Sequence, residues 1–206
     1  MTTLQEQFEK DFPDKGVRSI GNGGRFKSSE LTNRDLDLRE YENLTSLSLD
    51  NNLTSINLSN QKNLIYLNLN SSNLTSVDFL NQLPNPEKLE HLIIYNNNIQ
   101  PTDISIFSKF VNLKMLKIGT MEIGLERGKN NKFYGSLKAY QNLTKLEVIC
   151  IEATDVNEGL EYLPNSLTEA TRGGMYHRIE CSPHNTNAKC KAIQDQLRPF
   201  NYDIEA

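Results

Sequence analysis

Leucine and isoleucine recur along this chain at a spacing that few folds can use. Five segments match the template L-x-x-L-x-L-x-x-N-x-L, and they begin at Leu44, Leu64, Leu89, Leu113 and Leu146. Their starts lie 20, 25, 24 and 33 residues apart, so each interval can hold a short strand and a return segment. Because such short strands are unstable alone, the copies must pair with one another. The spacing therefore predicts a curved solenoid with a parallel sheet on its inner face.

The edges of this pattern are less regular. The fifth copy has a rival register that begins at Leu143 instead of Leu146. Degenerate copies flank the five, and they are centred on Phe26, Ser29 and Leu31 and on Leu167 and Ala170. The interval of 33 residues before Leu146 indicates an insertion in the fourth copy.

The ninth template position carries asparagine in two copies, at Asn52 and Asn97, and Ser72, Met121 and Thr154 in the others. An amide side chain can donate to carbonyl groups and accept from N–H groups where the chain leaves the strand. Asparagines at this position should therefore form a ladder along the solenoid. A thioether cannot make these hydrogen bonds, so we expect the ladder to be interrupted at Met121.

The repeat pattern resembles the leucine-rich repeat family. Three further segments, QEQFEKDFP near the start and GLEYLPNSL and QLRPFNY near the end, are similar to the large intracellular leucine-rich-repeat families of arbuscular mycorrhizal fungi. The resemblance implies an α/β fold, namely a leucine-rich repeat solenoid with a concave parallel β-sheet and terminal capping helices. It also implies a protein-interaction scaffold, and it carries over no catalytic residue.

A single domain is expected over residues 1–206, which is an ordinary length for one domain. Its parts are an N-terminal cap over 1–20, repeats over 21–175 and a C-terminal cap helix over 176–206. The apolar residues at helical spacing in the two caps are Leu4, Phe8 and Phe12 and Cys190, Ile193 and Leu197. Pro13 and Pro199 end these segments. On this interpretation the chain is a complete module.

The inference of the cellular compartment depends on how the N-glycosylation sequons are interpreted, such as those of Asn43, Asn52, Asn57 and Asn142. We interpret them as structural, because a glycan at the entry to a strand or in the ladder would disrupt the stack. The N-terminal segment MTTLQEQFEKDFPDK has no apolar core of a secretory signal, and three cysteines are too few for a disulfide scaffold. A cytoplasmic protein is expected, whereas a secreted receptor ectodomain would carry glycans.

Composition narrows the classes of partner and of chemistry. A net charge of -4 gives no field that would recruit nucleic acid or an anionic membrane. No apolar run is long enough to span a bilayer. The three histidines are scattered and no nucleophile motif is present, so we expect no enzyme and no cofactor.

A zinc site is conceivable in the segment HRIECSPHNTNAKC, where the candidate ligands are His177, Cys181, His184 and Cys190. The segment lacks a C-x2-C knuckle, and Cys190 fits the apolar face of the expected cap helix. A disulfide between Cys181 and Cys190 is a further alternative. We favour neither the metal nor the disulfide.

Binding is the function that the repeat itself favours, because the outward template positions of stacked strands align in rows. The middle copies place aromatic, apolar and basic side chains in these rows, and aromatic residues and Met are enriched at the cores of interfaces. The predicted partner-binding residues, here called the concave patch, are Tyr66, His91, Ile93, Tyr95, Met115 and Lys117. We expect a protein partner, whose identity the sequence leaves open.

The insertion around GLERGKNNKFYGS, within residues 124–140, offers a second candidate site. It brings together basic and aromatic residues, namely Arg127, Lys129, Lys132, Phe133 and Tyr134. The favoured interpretation is a solvated loop with its aromatic residues packed on the convex side. The alternative function is regulation of an enzyme, as by a GTPase-activating leucine-rich repeat protein, with Arg127 as the loop arginine.

Overall fold

The computed structural model describes residues 2–21, 31, 33–49, 53–159, 162–167 and 179–180. The helices are α1 (Leu4–Asp11) and α2 (Glu122–Glu126), and short 3₁₀ segments span Asp78–Gln82, Pro86–Lys88, Ile104–Phe107, Leu137–Tyr140 and Asn165–Leu167. The strands are β1 (Ser19–Gly21), β2 (Asp35–Asp37), β3 (Ser46–Ser48), β4 (Ser55–Asn57), β5 (Tyr66–Asn68), β6 (His91–Ile93), β7 (Thr102–Asp103), β8 (Met115–Lys117), β9 (Phe133–Ser136), β10 (Val148–Cys150), β11 (Asp155–Glu158) and β12 (Ile179–Glu180).

Seven of these strands form the inner sheet, in the order β1-β3-β5-β6-β8-β10-β12. Every pairing in it is parallel, and each strand comes from a different turn of the chain. The central residues of neighbouring strands, such as Leu47, Leu67, Leu92 and Leu116, pair directly. This arrangement confirms the predicted leucine-rich repeat solenoid.

The return segments contain strands as well, which the sequence analysis did not predict. They form two smaller parallel sheets, here called the outer sheets, in the orders β2-β4 and β7-β9-β11. Leu36 and Ile56 at the centres of β2 and β4 are buried. The signal was present, because LDL at 36–38 and INL at 56–58 show the same alternation as LSL at 47–49. The same alternation, between the inner-sheet strands, therefore marks β2 and β4.

The core is one continuous cluster that includes the central residues of the inner sheet and of β2 and β4. In the longer copies aromatic rings fill the added width, and the Phe107 and Phe133 ring centroids lie 5.4 Å apart. Leu143 and Leu146 are both buried. The pairing of Val148 with Met115 confirms the register that starts at Leu146, because both residues are then at the third template position.

Helix α1 is present where the N-terminal helix is predicted. Thr3 and Glu6 form a capping box at its start, and Leu4 and Phe8 are buried. The Gln5 side chain accepts from Asp37 N at 2.8 Å and donates to Asp37 O at 3.1 Å, so this amide occupies backbone groups of β2 as a further strand would. A capping role for the terminal segments stays a prediction.

The predicted C-terminal cap helix over 176–206 falls almost wholly outside the described residues. Within that range the structure describes only β12, whose Ile179 pairs with Ile149 of β10. Cys190, Ile193 and Leu197 lie outside the described residues.

Asn97 makes the hydrogen bonds predicted for the ninth template position. Its side chain is fully buried; it accepts from Leu74 N at 3.1 Å and donates to Leu69 O and Ile94 O, both at 2.9 Å. Thr154 donates to Ile151 O at 2.6 Å. Asn52 lies outside the described residues.

The predicted interruption of the ladder at Met121 is wrong. Asn131 takes the position instead; its buried amide donates to Ile94 O and Ile118 O, both at 2.9 Å, and accepts from Ile99 N at 3.2 Å. The insertion therefore lies between β8 and its ladder asparagine. A loop that starts and ends at the rim can be long without disturbing the stack, because its two ends meet at one repeat position.

Candidate functional site

The inner sheet aligns the outward residues in the predicted rows. Ser46, Tyr66, His91, Met115 and Val148 are direct neighbours in register, and the next row is Ser48, Asn68, Ile93, Lys117 and Cys150. Alternation along parallel strands puts these side chains on one face. The concave patch is therefore contiguous across β5, β6 and β8.

Exposure varies across this face. Most residues of the concave patch are half-buried, but Ile93 is only 8% exposed. The outward residues of β10 and its continuation, Val148, Cys150 and Glu152, are also buried, although the sequence placed them on the surface. The accessible part of the face therefore runs from β1 to β8, and Ile93 supports its neighbours more than it offers contact area.

His91 and Tyr66 form an aromatic pair at the centre of the face. Their ring centroids lie 5.8 Å apart with an interplanar angle of 42°. Burial lowers the pKa of His91, and the nearby Lys114 acts in the same direction. Glu90 and Glu147 oppose this shift. The imidazole is therefore mainly neutral at pH 7.

An NMR titration is expected to give a pKa for His91 below its ordinary value of about 6.5. The unfolded chain then takes up this proton at a higher pH than the folded chain does. The free energy of unfolding should therefore decrease as the pH falls through about 6.5. His91→Gln, measured by urea unfolding over the same pH range, is the control and should show a weaker dependence. A folded-state midpoint above the ordinary value would contradict this account.

One ion pair lies on the strand-entry edge of the sheet, at β6 and β8. Lys114 Nζ lies 2.7 Å from Glu90 Oε2. This hydrogen bond lowers the pKa of Glu90 and raises that of Lys114. The pair neutralises the edge beside the aromatic residues.

The loop over 121–130, here called the rim loop, contains α2 and folds back over two earlier repeats. Met121 N donates to Asn96 Oδ1 at 2.8 Å, and Lys129 Nζ donates to Ser72 O at 2.7 Å and also contacts Asn73 Oδ1. Burial lowers the pKa of Lys129. These bonds fix the loop at the edge where β5 and β6 end.

The predicted basic and aromatic cluster of the insertion does not form. Phe133 is a core residue, Tyr134 lies on the outer sheet at 45% exposure, and Lys129 binds backbone. Arg127 and Lys132 are exposed, and Arg127 follows α2. The favoured interpretation predicts a solvated loop whose aromatic residues pack on the convex side. Packing is found for Phe133 alone, because only its ring lies among core side chains.

The rim loop instead exposes apolar side chains that the sequence analysis missed. Met121, Ile123 and Leu125 are 37%, 50% and 45% exposed. No periodicity in the sequence predicts that these side chains are exposed, because their exposure depends on the hydrogen bonds that hold the rim loop to Asn96 and Ser72. Large apolar side chains grouped on a surface are characteristic of contact sites.

A cleft of about 490 Å³ beside α1 is lined by Gln5, Glu9, Asp37, Arg39, Glu40, Glu42 and Asn60. Its charges are largely satisfied within the chain. Arg39 Nη2 lies 2.7 Å from Asp37 Oδ2, and this hydrogen bond lowers the pKa of Asp37. Lys15 Nζ lies 3.7 Å from Glu9 Oε1 and 3.4 Å from Glu40 Oε2. Ion pairs within the chain therefore account for the charged lining of the cleft.

In the part of the chain that the structure describes, no group of three or more His, Cys, Asp or Glu side chains is placed to hold a metal. The candidate ligands His177, Cys181, His184 and Cys190 lie outside that part. Among the described residues, no helix combines the length and the apolar character needed to cross a bilayer.

The sequons at Asn43 and Asn142 are sterically free. Both side chains are exposed at turns that precede inner-sheet strands. The expected conflict between a glycan and the stack is therefore wrong at these two positions, because the side chains leave the solenoid at its surface.

Comparison with known proteins assigns this chain to no family. No family model matches the sequence, and no curated protein matches it. The chain is similar to an internalin (inlF) of Listeria monocytogenes, at 16% identity over 58% of this chain and 44% of that chain, with a TM-score of 0.35. It is also similar to internalin C2 (inlC2) of the same organism, at 17% identity over 81% of this chain and 77% of that chain, with a TM-score of 0.35.

This chain thus spans less than half the length of the first of these structures. Neither structure comes from a fungus, and the fungal resemblance stays a prediction. The fold itself follows from the strand order, the registers and the asparagine ladder of this chain. These features together are those of a leucine-rich repeat solenoid.

Proposed function

We propose that this protein is a non-enzymatic interaction module that binds a partner protein on its concave face. The observation that carries the proposal is the registered row of Tyr66, His91 and Met115, with Tyr95 beyond the end of β6. Aromatic side chains supply contact area at a low entropic cost, and the flexible Met side chain adapts to irregular partner surfaces. The weak net charge of -4 favours a protein over nucleic acid as the partner.

The triple variant Tyr66→Ala, Tyr95→Ala, Met115→Ala is expected to lose the partner. Each truncated anchor should cost about 1 kcal/mol or more, so the combined affinity should fall at least about a hundredfold. The measurement is affinity capture from lysate of cells that express the protein natively, followed by titration of the recovered protein. Ile93 is left intact because its burial ties it to folding.

The matched control removes two tyrosines outside the inner sheet. Tyr134 and Tyr162 are 45% and 36% exposed, so Tyr134→Ala, Tyr162→Ala deletes similar area from another surface. Circular dichroism checks that both variants are folded. Equal recovery by the triple variant and the wild type would place the function elsewhere. Loss on Arg127→Ala alone would favour the alternative, in which a rim arginine regulates an enzyme.

A cytoplasmic setting is part of the same proposal, and the resemblance to intracellular fungal families supports it. The sequons at Asn43 and Asn142 make it testable, because both side chains are exposed and could accept a glycan. Protein purified from its native cells is expected to keep its electrophoretic mobility after treatment with peptide N-glycosidase. A shift that disappears in Asn43→Gln, Asn142→Gln would instead indicate secretion.

A further inference from the structure

The part of the concave face that precedes β8 has an unusual composition for a surface. The described outward positions of β1, β3, β5, β6 and their continuations are Ser19, Gly21, Ser46, Ser48, Tyr66, Asn68, Asn70, His91, Ile93 and Tyr95. None of these described positions carries Asp, Glu, Lys or Arg; Asp50, at the outward template position after β3, lies outside the described residues. Tyr, Ser, Gly and Asn are also the residues that dominate antibody paratopes, which bind through aromatic contacts and adaptable hydrogen bonds.

We propose that this face recognises an uncharged surface of a partner protein, and that the exposed apolar side chains of the rim loop hold an apolar anchor residue of that partner. The inference rests on the proposed function and specifies the chemistry of its partner. A charged surface would lose hydration here without gaining an opposite charge, so complementarity favours a neutral one.

The ionisable groups at β6 add little net charge to these positions. His91 is mainly neutral at pH 7 because burial lowers its pKa. Glu90 and Lys114 compensate each other at 2.7 Å. The first cation on the face is Lys117 of β8, at the far side of the aromatic pair.

The polar groups of the face are already ordered. Asn68 Oδ1 accepts from Asn70 N at 3.1 Å, and Asn70 Nδ2 donates to Ser71 Oγ at 3.2 Å. Side chains held in this way lose little freedom when they bind. Such preorganised amides suit hydrogen bonds to backbone or neutral side-chain groups.

The rim loop adds separate exposed apolar side chains next to this surface, beside the exposed charged residues Glu126 and Arg127. It begins with the hydrogen bond from Met121 N to Asn96 Oδ1, one residue beyond Tyr95, so it is continuous with the concave patch. A helix of five residues is not stable alone, and the Lys129 contacts to Ser72 and Asn73 hold it in place. Gly124 permits the close approach, since a methyl group there would lie 2.3 Å from Asn96 Oδ1.

These exposed apolar side chains favour a protein over a neutral polysaccharide. Ile123 and Leu125 are 50% and 45% exposed and offer no hydrogen bonds. They gain most from burial against an aliphatic or aromatic side chain, which a sugar polymer does not supply. The two surfaces together fit an uncharged loop or helix with one protruding apolar residue.

The test is selection of a phage-displayed library of random peptides against the full chain. Enriched peptides are expected to be poor in Asp, Glu, Lys and Arg and to contain a large apolar residue. Their Kd should change less than about twofold between about 0.05 and 1 M NaCl, because screening acts only on charges. Ile123→Ser, Leu125→Ser should weaken binding at least about fivefold. Val111→Ser, which changes an exposed apolar residue in a turn before β8, should not.

The outcomes separate the inference from the proposed function. Charged peptides whose Kd rises tenfold or more with salt, but which still require Tyr66 and Tyr95, would overturn the inference and leave concave-face binding intact. Peptides that bind the triple variant equally well would overturn both. Binding of neutral oligosaccharides on a glycan array, without any enriched peptide, would overturn the assignment to a protein partner.

Discussion

Replacing Asn131 by Ala is expected to lower the free energy of unfolding by about 4 kcal/mol, one of the two largest effects we predict. The substitution removes the donor for Ile94 O, Ile118 O and Gly119 O and the acceptor for Ile99 N. The site is fully buried, so water cannot replace these bonds without opening the stack. Each stranded polar group costs about 1–3 kcal/mol. Urea unfolding followed by circular dichroism measures the change.

Asn130→Ala provides a matched control, since Asn130 is the adjacent residue of the same type and is exposed. Its effect should stay within about 0.5 kcal/mol of the wild type. Similar values for the two variants would show that the ladder does not continue through Asn131. Because repeat proteins can unfold in parts, hydrogen exchange should also show earlier opening at Ile99 N in Asn131→Ala.

Gly119→Ala is expected to destabilise the protein by about 3 kcal/mol, although it adds only one methyl group. That methyl would lie 2.4 Å from Glu152 N and 2.6 Å from Glu152 O. The obstacle is backbone, so no side-chain rotation relieves it. The strands must separate, which weakens the hydrogen bond from Thr120 N to Glu152 O, now 2.7 Å long. Thermal and urea unfolding should both show this decrease in stability.

Gly21→Ala tests whether the effect is specific to that position. Gly21 also lies on the inner sheet, and a methyl group there would meet no atom of the described residues within 4 Å. Because Ala also suits a strand better than Gly, this variant should be neutral or slightly stabilising. Equal losses in both glycine variants would point to strand propensity and away from a collision between repeats.

The inner sheet was predictable because its signal is periodic and local. Leu47, Leu67, Leu92 and Leu116 recur at one template position, and a chain that buries them all must stack its copies. The rows of outward residues follow from the same register. The concave patch could therefore be assigned before any coordinates, although its binding role stays a proposal.

The parts that sequence reasoning missed depend on contacts between distant residues. Ile93 is outward by its position in the strand, yet neighbouring side chains leave it 8% exposed. Phe133 and Tyr134 are adjacent in the chain, and only the first enters the core. The position of the rim loop depends on Lys129 reaching Ser72, 57 residues earlier. No window of sequence contains such information.

The sequence by itself determined the solenoid, the strand register and the asparagine chemistry, because each depends on residue types at a short, repeated spacing. Only the tertiary structure decided which asparagine follows β8 in the ladder, which outward side chains remain accessible, and where the apolar residues of the insertion lie. Met121 occupies the expected ladder position, but the backbone groups at the end of β8 require an amide, and Asn131 is the residue that reaches them. The physical reason is that hydrogen-bond satisfaction and burial are settled by distance in space, whatever the separation along the chain.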